Sequence, residues 1–486
     1  MTPFRRAAVL FCALFVALLL ARLGLLAELF AGPKTLPASS AATAGERESW
    51  MRIFYSAQPI GYAHTRLAPR AGGSDLLEQV RMRVNTMGMV QEVNLSTRAR
   101  LRADLSLASL EFDLVSGPFH FHAEGEVADA ALSVRTETAG ARRRLDLPLK
   151  GPLYLASCVP YALDARQLKP GERYTFEVFD PGTLGQIPVQ LEVVERETIR
   201  VMDADRPAVR ISMGLNGMTQ TAWIADDGEV LRERGLLGMR LEKSDREGAL
   251  RGLDAAPGVD LGEAAAVTPD RAIPDAAGRA RLAVRLGGVA TDRLQLRGGR
   301  QSLVDGVLSV ARESLDDLPP AGELGALERA YLRPEPLIQS DHERIRSAVR
   351  AILGENPAAA PPLENARRLV AWVHDTIDKR PVLSLPDALS TLEHRMGDCN
   401  EHAVLLAALA RAAGVPARVE AGLVYARGRF YYHAWNLLFV GRWITADAVF
   451  GQMPADVTHL RFVTGSAQQQ LDLLGVIGKL TIEVAD

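Results

Sequence analysis

Apolar and polar residues alternate along much of the first half of the chain. Val80, Met82 and Val84 are separated by Arg81 and Arg83, and Phe119 and Phe121 by His120. A period of two sends successive side chains to opposite faces, so the pattern predicts half-buried antiparallel strands from near Ser49 to about Arg251. Within this stretch Trp223 to Leu231 reads as a hairpin, with Asp227-Gly228 supplying the positive backbone angles of a tight primed turn. From Gly252 to Leu324 the signal weakens. Ala, Gly and Arg dominate, with one clear alternating strand at Arg281 to Leu286 and weaker pieces around Leu294 and Leu303 to Val310. The pattern predicts an antiparallel β-rich domain over 49–251 and a small β unit or connector over 252–339. His120 and His122 share a strand face, but no third ligand at metal-site spacing is visible, so they read as a solvated face.

At Ser340 the period changes to that of a helix. Ser340-Asp-His-Glu343 has the form of a capping box, and Ile345, Ala348, Val349 and Ile352 line one face. A second helix follows Pro362, with Ala366, Leu369, Val370, Val373 and Ile377 as its apolar stripe and His374 on the exposed side. Leu385 to Gly397 reads as a short helix stopped by Gly397. A fourth helix starts at once, with Asp398 as N-cap, Glu401 completing a capping box, His402 an exposed neighbour, and Gly414 with Pro416 closing it. These elements place a helical and mixed domain over 340–486, and the fold class is α+β.

The first thirty residues have a different character. Arg5 and Arg6 precede an unbroken apolar run from Ala7 to Ala21, and apolar character continues to Ala31 with breaks at Arg22 and Glu28. The expectation is an uncleaved signal anchor, a transmembrane helix over 1–31, followed by a flexible linker over 32–48. Arg5 and Arg6 keep the N-terminus inside, giving a single-pass protein of the cytoplasmic (inner) membrane with its folded domains in the periplasm or extracellular space. The 486 residues allow two to four domains, and a hydrophobic content of 48 %, a charged content of 24 % and a formal net charge of −3 describe an ordinary folded protein. Arg and Lys are interspersed with Asp and Glu, so nucleic acid is not an implied partner. Of three cysteines, Cys12 falls in the anchor, leaving Cys158 and Cys399 as a bridge, as inert buried thiols, or as one working thiol.

The context of Cys399 favours the last. A cysteine in the first turn of a helix meets unpaired N–H groups and the positive end of the helix dipole, which stabilise a thiolate and can hold an oxyanion. A thiolate nucleophile also needs a proton shuttle, and His433, in the aromatic strand Phe430 to Val440, is the leading candidate. Trp443-Ile-Thr-Ala-Asp447 follows Gly441-Arg442 and should form an antiparallel hairpin with that strand, bringing Asp447 to fix the imidazole tautomer. Strand parity makes this conditional. A two-residue loop puts Asp447 opposite Asn436, on the wrong face, whereas a three-residue loop of Val440, Gly441 and Arg442 makes Trp435 face Asp447 and His433 its diagonal neighbour. A three-residue loop or bulge is therefore predicted.

Gly397-Asp-Cys-Asn-Glu-His-Ala, Leu409-Ala-Arg-Ala-Ala-Gly-Val-Pro-Ala-Arg418, His433-Ala-Trp, Trp443 and Asp447 resemble the transglutaminase-like superfamily, particularly its bacterial membrane-anchored members. Gly451-Gln-Met-Pro-Ala-Asp-Val-Thr-His459 extends the likeness, which spans about Ser340 to the C-terminus. The resemblance implies a papain-like transglutaminase core, with Cys399 as nucleophile, His433 as general base and acid and Asp447 as orienting carboxylate. Asp398, Trp435 and Trp443 support the triad, the two tryptophans packing around the imidazole or simply filling the hairpin core. Family members often carry an acidic residue where this chain has Leu437, and Thr where it has Val449. The implied chemistry is acyl transfer from a protein or peptide amide through a thioester, as a transglutaminase or as an amidase or cysteine peptidase. No calcium loop or cofactor motif is evident, so neither metal nor cofactor is expected. The alternative is a non-catalytic binding or scaffolding module on the same fold.

Overall fold

The computed structural model describes residues 45–485 apart from 87, 216–217, 236–237, 254–259, 293, 317, 320–321, 466–472 and 474. The expected anchor over 1–31 and all but the end of the linker lie outside the described residues. Among the described residues no helix is long and apolar enough to cross a membrane.

The alternating region forms fifteen strands of one sheet. The first eight are β1 (Arg47–Tyr55), β2 (Gln58–Arg70), β3 (Gly73–Thr86), β4 (Met89–Arg102), β5 (Leu107–Ser116), β6 (Phe119–Ala128), β7 (Ala131–Thr138) and β8 (Ala141–Pro148). After β9 (Leu153–Leu155) come β10 (Arg173–Asp180), β11 (Gly185–Val201), β12 (Ala204–Leu215), β13 (Met218–Ile224), β14 (Val230–Arg234) and β15 (Met239–Ser244). Each strand pairs with its successor in two meanders, from β1 to β8 and from β9 to β15, and β15 pairs with β1 to join them. All pairs are antiparallel except β9 with β10. The sheet wraps around a shared interior: Leu101, Leu110 and Leu132 of the first meander lie in one core with Leu153 and Leu155 of β9 and Phe179 of β10. Cys158, in the turn after β9, is buried in that core and free.

Two sequence expectations change here. The β13–β14 hairpin closes with Ala225 N–H on the Glu229 carbonyl at 2.8 Å, and only Gly228, at φ +85°, has a positive angle. The turn is thus a three-residue loop with a glycine bulge, because Asp227 stays out of the left-handed region that a two-residue primed turn demands. His120 and His122 face the neighbouring strand and bond Asp113 Oδ1 at 3.1 Å and 2.9 Å. Asp113 pairs with His122 across β5 and β6, a proximity that linear spacing does not reveal.

A second sheet has the order β17–β18–β16–β25, built from β16 (Arg281–Gly287), β17 (Gln301–Val304), β18 (Val307–Ala311) and β25 (Thr481–Val484). The chain therefore returns to the connector after completing the region that follows it. Between these strands lie the helices α1 (Glu343–Leu353), α2 (Pro362–Thr376), α3 (Ala388–His394) and α4 (Cys399–Ala412). They are accompanied by the short β19 (Asp378–Lys379) and β20 (Met396–Gly397), then β21 (Ala417–Ala426), β22 (Arg429–Phe439), β23 (Trp443–Ala446) and β24 (Leu460–Thr464). The last four form an antiparallel sheet of order β23–β22–β21–β24. Its Leu423, Phe430 and Phe462 share a core with Leu282, Val284, Leu308 and Val310 of the second sheet, so the two sheets are packed as one unit.

Helix α4 is buried all round from Glu401 to Arg411, as expected of a central helix. Its apolar residues share a core with Ile345 and Val349 of α1, Leu369 and Val373 of α2, and Leu438 of β22. Helix boundaries differ in detail from the sequence reading. His342, not Ser340, caps α1, accepting the Arg344 N–H at 3.2 Å. Helix α3 ends with Arg395 in the left-handed conformation, not at Gly397. Gly397 is required for another reason: a Cβ there would lie 2.3 Å from the Glu401 Cβ, in the space that the capping box of α4 fills.

A second glycine sets the strand behind the site. Gly422 pairs with His433 across β21 and β22, and a Cβ on it would meet the Leu460 carbonyl oxygen at 2.0 Å. Gly422→Ala is expected to destabilise the protein by about 1–3 kcal/mol through overpacking, read as a lower midpoint in urea unfolding.

Candidate active site

Cys399 is the first residue of α4, immediately after an N-cap that restrains it from both sides. Asp398 accepts the Asn400 N–H at 2.8 Å, and the Glu401 carboxylate accepts the Asp398 N–H at 3.0 Å, completing the predicted capping box. Ser384 donates its hydroxyl to the other Glu401 oxygen at 2.9 Å. The Ala434 N–H of β22 reaches the thiol, so the helix start and the strand that carries His433 meet at Cys399. Cys399 is free and partly exposed, which removes the Cys158–Cys399 bridge.

The hairpin that carries His433 and Asp447 turns as strand parity requires. Phe439 pairs with Trp443, leaving a loop of Val440, Gly441 and Arg442 with Gly441 at φ +100°. Asn436 pairs with Ala446, so Trp435 and Asp447 come next in register and His433 is diagonal to Asp447. His433 Nε2 lies 2.6 Å from Asp447 Oδ2. Asp447 is fully buried, and its Oδ1 accepts the Val449 and Phe450 N–H groups at 2.7 Å and 3.1 Å. Burial alone would raise this carboxyl, but the His433 and His459 imidazoles that face it hold it far below the usual carboxylate range.

His459 was noticed in the sequence only as part of a longer likeness, and the structure gives it a place. It is wholly buried, with Nε2 2.8 Å from the same Asp447 Oδ2 and Nδ1 3.2 Å from Asp456 Oδ1. Burial would lower its basicity, yet the two carboxylates outweigh that and raise it. Asp456 is depressed in turn: burial works against this, and His459 and the Thr458 hydroxyl overcome it. The site is therefore a relay, Asp456–His459–Asp447–His433. The ligand-type atoms of His433, Asp447 and His459 lie within 4.8 Å of one another. A metal ion would have to displace both hydrogen bonds to Asp447 to use them. The only other such set among the described residues is Glu111, Asp113 and His122, on the outer sheet.

The supporting residues divide. Trp435 stacks on His433 at 6.2 Å between ring centroids, meets His459 edge-on at 5.1 Å, and donates its indole N–H to Glu420 at 2.9 Å. Trp443 does not surround the imidazole. It packs at the hairpin tip against Arg418, Tyr331 and Phe439. Six residues along an extended strand separate its partner Phe439 from His433, about 20 Å. Phe450 takes the vacant flank of His433, at 5.3 Å. Two histidines expected at the surface are drawn inward. His402 is only 1 % exposed and its Nδ1 lies 2.7 Å from the Asp398 carbonyl, while His374 Nδ1 lies 3.0 Å from the Ala448 carbonyl and ties down the loop after Asp447.

The thiol itself departs from expectation. Burial pushes Cys399 well above its ordinary range, and the Asp398, Glu401 and Asp447 carboxylates add to this, with the Ala434 N–H opposing them. The helix N-terminus is present, but the acidic cap that forms it places negative charge beside the sulfur and offsets the dipole. Burial, and then Asp398, push the Glu401 carboxyl up as well.

A partly exposed thiol at a helix start thus lies against the antiparallel strand that carries a carboxylate-held histidine. Residues 351–448 match the model of the transglutaminase-like superfamily, and the chain carries a transglutaminase-like core there. Residues 80–247 match a family described as protein of unknown function (DUF3108). Among solved structures the chain is similar to a "putative cysteine protease" from Cytophaga hutchinsonii, at 16 % identity over 42 % of this chain and 83 % of that one, with a TM-score of 0.29. It is also similar to a "putative protease" from Parabacteroides distasonis, at 10 % identity over 70 % of this chain and 64 % of that one, TM-score 0.20. A third is a β-barrel-like protein of a domain of unknown function (DUF1849) from Brucella abortus, at 10 % identity over 41 % and 95 %, TM-score 0.33. No curated protein matches.

His459→Ala leaves two buried carboxylates without their shared donor and is expected to cost about 3–5 kcal/mol of stability. The sign with pH follows from the directions of the shifts. The folded value of His459 lies above its unfolded value of about 6.5, so its contribution is complete below about pH 6 and fades as pH rises through the folded value. Asp447 and Asp456 lie below their unfolded value of about 3.9, so their contribution is complete above about pH 5 and is lost in acid. Urea unfolding of wild type and His459→Ala should therefore differ most between about pH 5 and 6, and the gap should narrow toward alkaline pH.

Proposed function

We propose that the protein performs thiol-dependent acyl transfer on peptide amides, with Cys399, His433 and Asp447 as nucleophile, proton shuttle and orienting carboxylate. The observation that carries this reading is the 2.6 Å bond between His433 Nε2 and the buried Asp447, on the strand whose next residue touches Cys399. With Nε2 committed to Asp447, Nδ1 is the nitrogen left to exchange a proton. Burial favours the neutral thiol, so deprotonation accompanies attack instead of preceding it. Cys399 Sγ adds to the amide carbonyl as its proton passes to His433. The imidazolium returns that proton to the departing amine, and the C–N bond breaks to leave a thioester on Cys399. His433 then takes a proton from water or from a second amine as that nucleophile adds to the thioester carbonyl, the C–S bond breaks, the imidazolium returns the proton to Cys399 Sγ, and the acid or a new amide leaves. Asp398 takes the N–H groups of Asn400, Glu401 and His402, so at the start of α4 the Cys399 N–H is the group that suits the developing oxyanion. The basic N-terminus followed by an apolar run supports placing this chemistry outside the inner membrane.

Burial and a raised thiol also favour a second reading, a binding module that retains the fold without turnover. Two measurements separate them. Product analysis of a glutamine-containing peptide incubated with the chain should detect amine incorporation, ammonia release or backbone cleavage. All of these should vanish in Cys399→Ala and fall on the order of a hundred- to ten-thousand-fold in Asp447→Asn. No product of any kind would leave the binding module. In a Cys158→Ser background, alkylation of Cys399 should still be accelerating above pH of about 8.5. Asp398→Asn removes the nearest negative charge and should move that profile to lower pH.

A further inference from the structure

The interior of the fifteen-stranded sheet is not a simple core. It encloses two adjoining cavities of about 220 and 360 Å³ whose walls share Glu78, Ala156, Ser157 and Val178. A polar row crosses the inner face. Ser49 of β1 pairs with Thr65 of β2, Thr65 with Glu78 of β3, and Glu78 with Thr97 of β4, so four polar side chains stand in line across four strands. Apolar residues occupy the same face on either side, including Met51, Leu67, Leu76 and Ala99. Two strands beyond β1, across β15, Glu233 of β14 also lines the smaller cavity and accepts the Gln220 side-chain N–H at 3.0 Å.

These polar groups are under-supplied with partners. Ser49 is 6 % exposed, lines the smaller cavity, and its hydroxyl has no hydrogen-bond partner. Burial pushes Glu233 up to about 7, and the neighbouring Glu78 adds to this. Burial raises Glu78 too, against a bond from Ser157. Among the described residues no arginine, lysine or histidine contributes to the state of either carboxyl. Two carboxyls and an unpaired hydroxyl among apolar walls cost stability that apolar residues would avoid, whereas an ammonium supplies three donors and the missing charge.

We propose that this interior is a binding site for a ligand with a cationic amine head and an apolar body. The ammonium is held by Glu78, Glu233 and Ser49 in the smaller cavity. The apolar body extends past Ala156 into the larger one, against Leu95, Phe112 and Ile187. The site is separate from Cys399 and does not depend on the acyl-transfer reading.

The test is calorimetric titration of the full chain with octylamine, octanol and octanoate, which share a body and differ in head charge. Octylamine is expected to bind one-to-one and roughly tenfold or more tighter than octanol, with octanoate weakest. Glu78→Gln/Glu233→Gln preserves shape and should erase the amine's advantage while leaving octanol unchanged. Ala156→Leu, in the shared wall, should weaken octylamine and octanol together, and serves if the double variant does not fold. Octylamine binding no tighter than octanol, an advantage that survives the double variant, or binding indifferent to Ala156→Leu would each overturn the proposal.

Discussion

The C-terminal unit depends on one buried carboxylate. Asp447 has no exposed surface, and both of its oxygens are saturated, one by two backbone N–H groups and the other by two imidazoles. A lone charge in that position would be prohibitive, so every donor around it is a structural requirement before it is a chemical one. The loop after Asp447 is bent to present Val449 and Phe450, and His374 of α2 fixes that loop from behind. His459 is drawn into the core beside Trp435, and Trp435 draws in Glu420, which Arg461 approaches at 3.5 Å. The orientation of His433 is thus set by a buried network and not by an isolated pair.

At Cys399 two influences compete. A helix start favours a thiolate, and the residues that make this start well capped are acidic. Stabilising the helix and activating the sulfur are therefore opposed demands on Asp398 and Glu401. Around the sulfur, burial and the carboxylates prevail over the dipole and favour the neutral thiol.

Much of the site was legible because its signals are local. The capping box at Asp398, the alternation that makes β22 a strand, and the parity of a loop of known length are all readable over a few residues, and together they bring His433 to Asp447. What escaped was non-local. His459 lies after a loop whose path no periodicity describes, and its link to Asp456 and Asp447 exists only once β24 pairs with β21. His402 is buried because its helix is packed all round, and His374 is half-buried against the loop after Asp447, neither of which a one-faced apolar stripe reveals. Trp443 was misplaced for a similar reason, since adjacency to Asp447 in sequence does not survive the length of an extended strand. In the N-terminal half the strands were legible but the cavities were not, because Ser49, Glu78 and Glu233 look like ordinary polar positions until register aligns them.

The turn between β22 and β23 constrains how such a chain can change over generations. A single insertion or deletion among Val440, Gly441 and Arg442 would rotate Asp447 to the opposite face and sever it from His433, although neither residue had been altered. Length variation at this turn is tolerable only in steps of two. Substitution-based comparison of descendants would miss such a lesion, because Cys399, His433 and Asp447 would all still be present in the alignment.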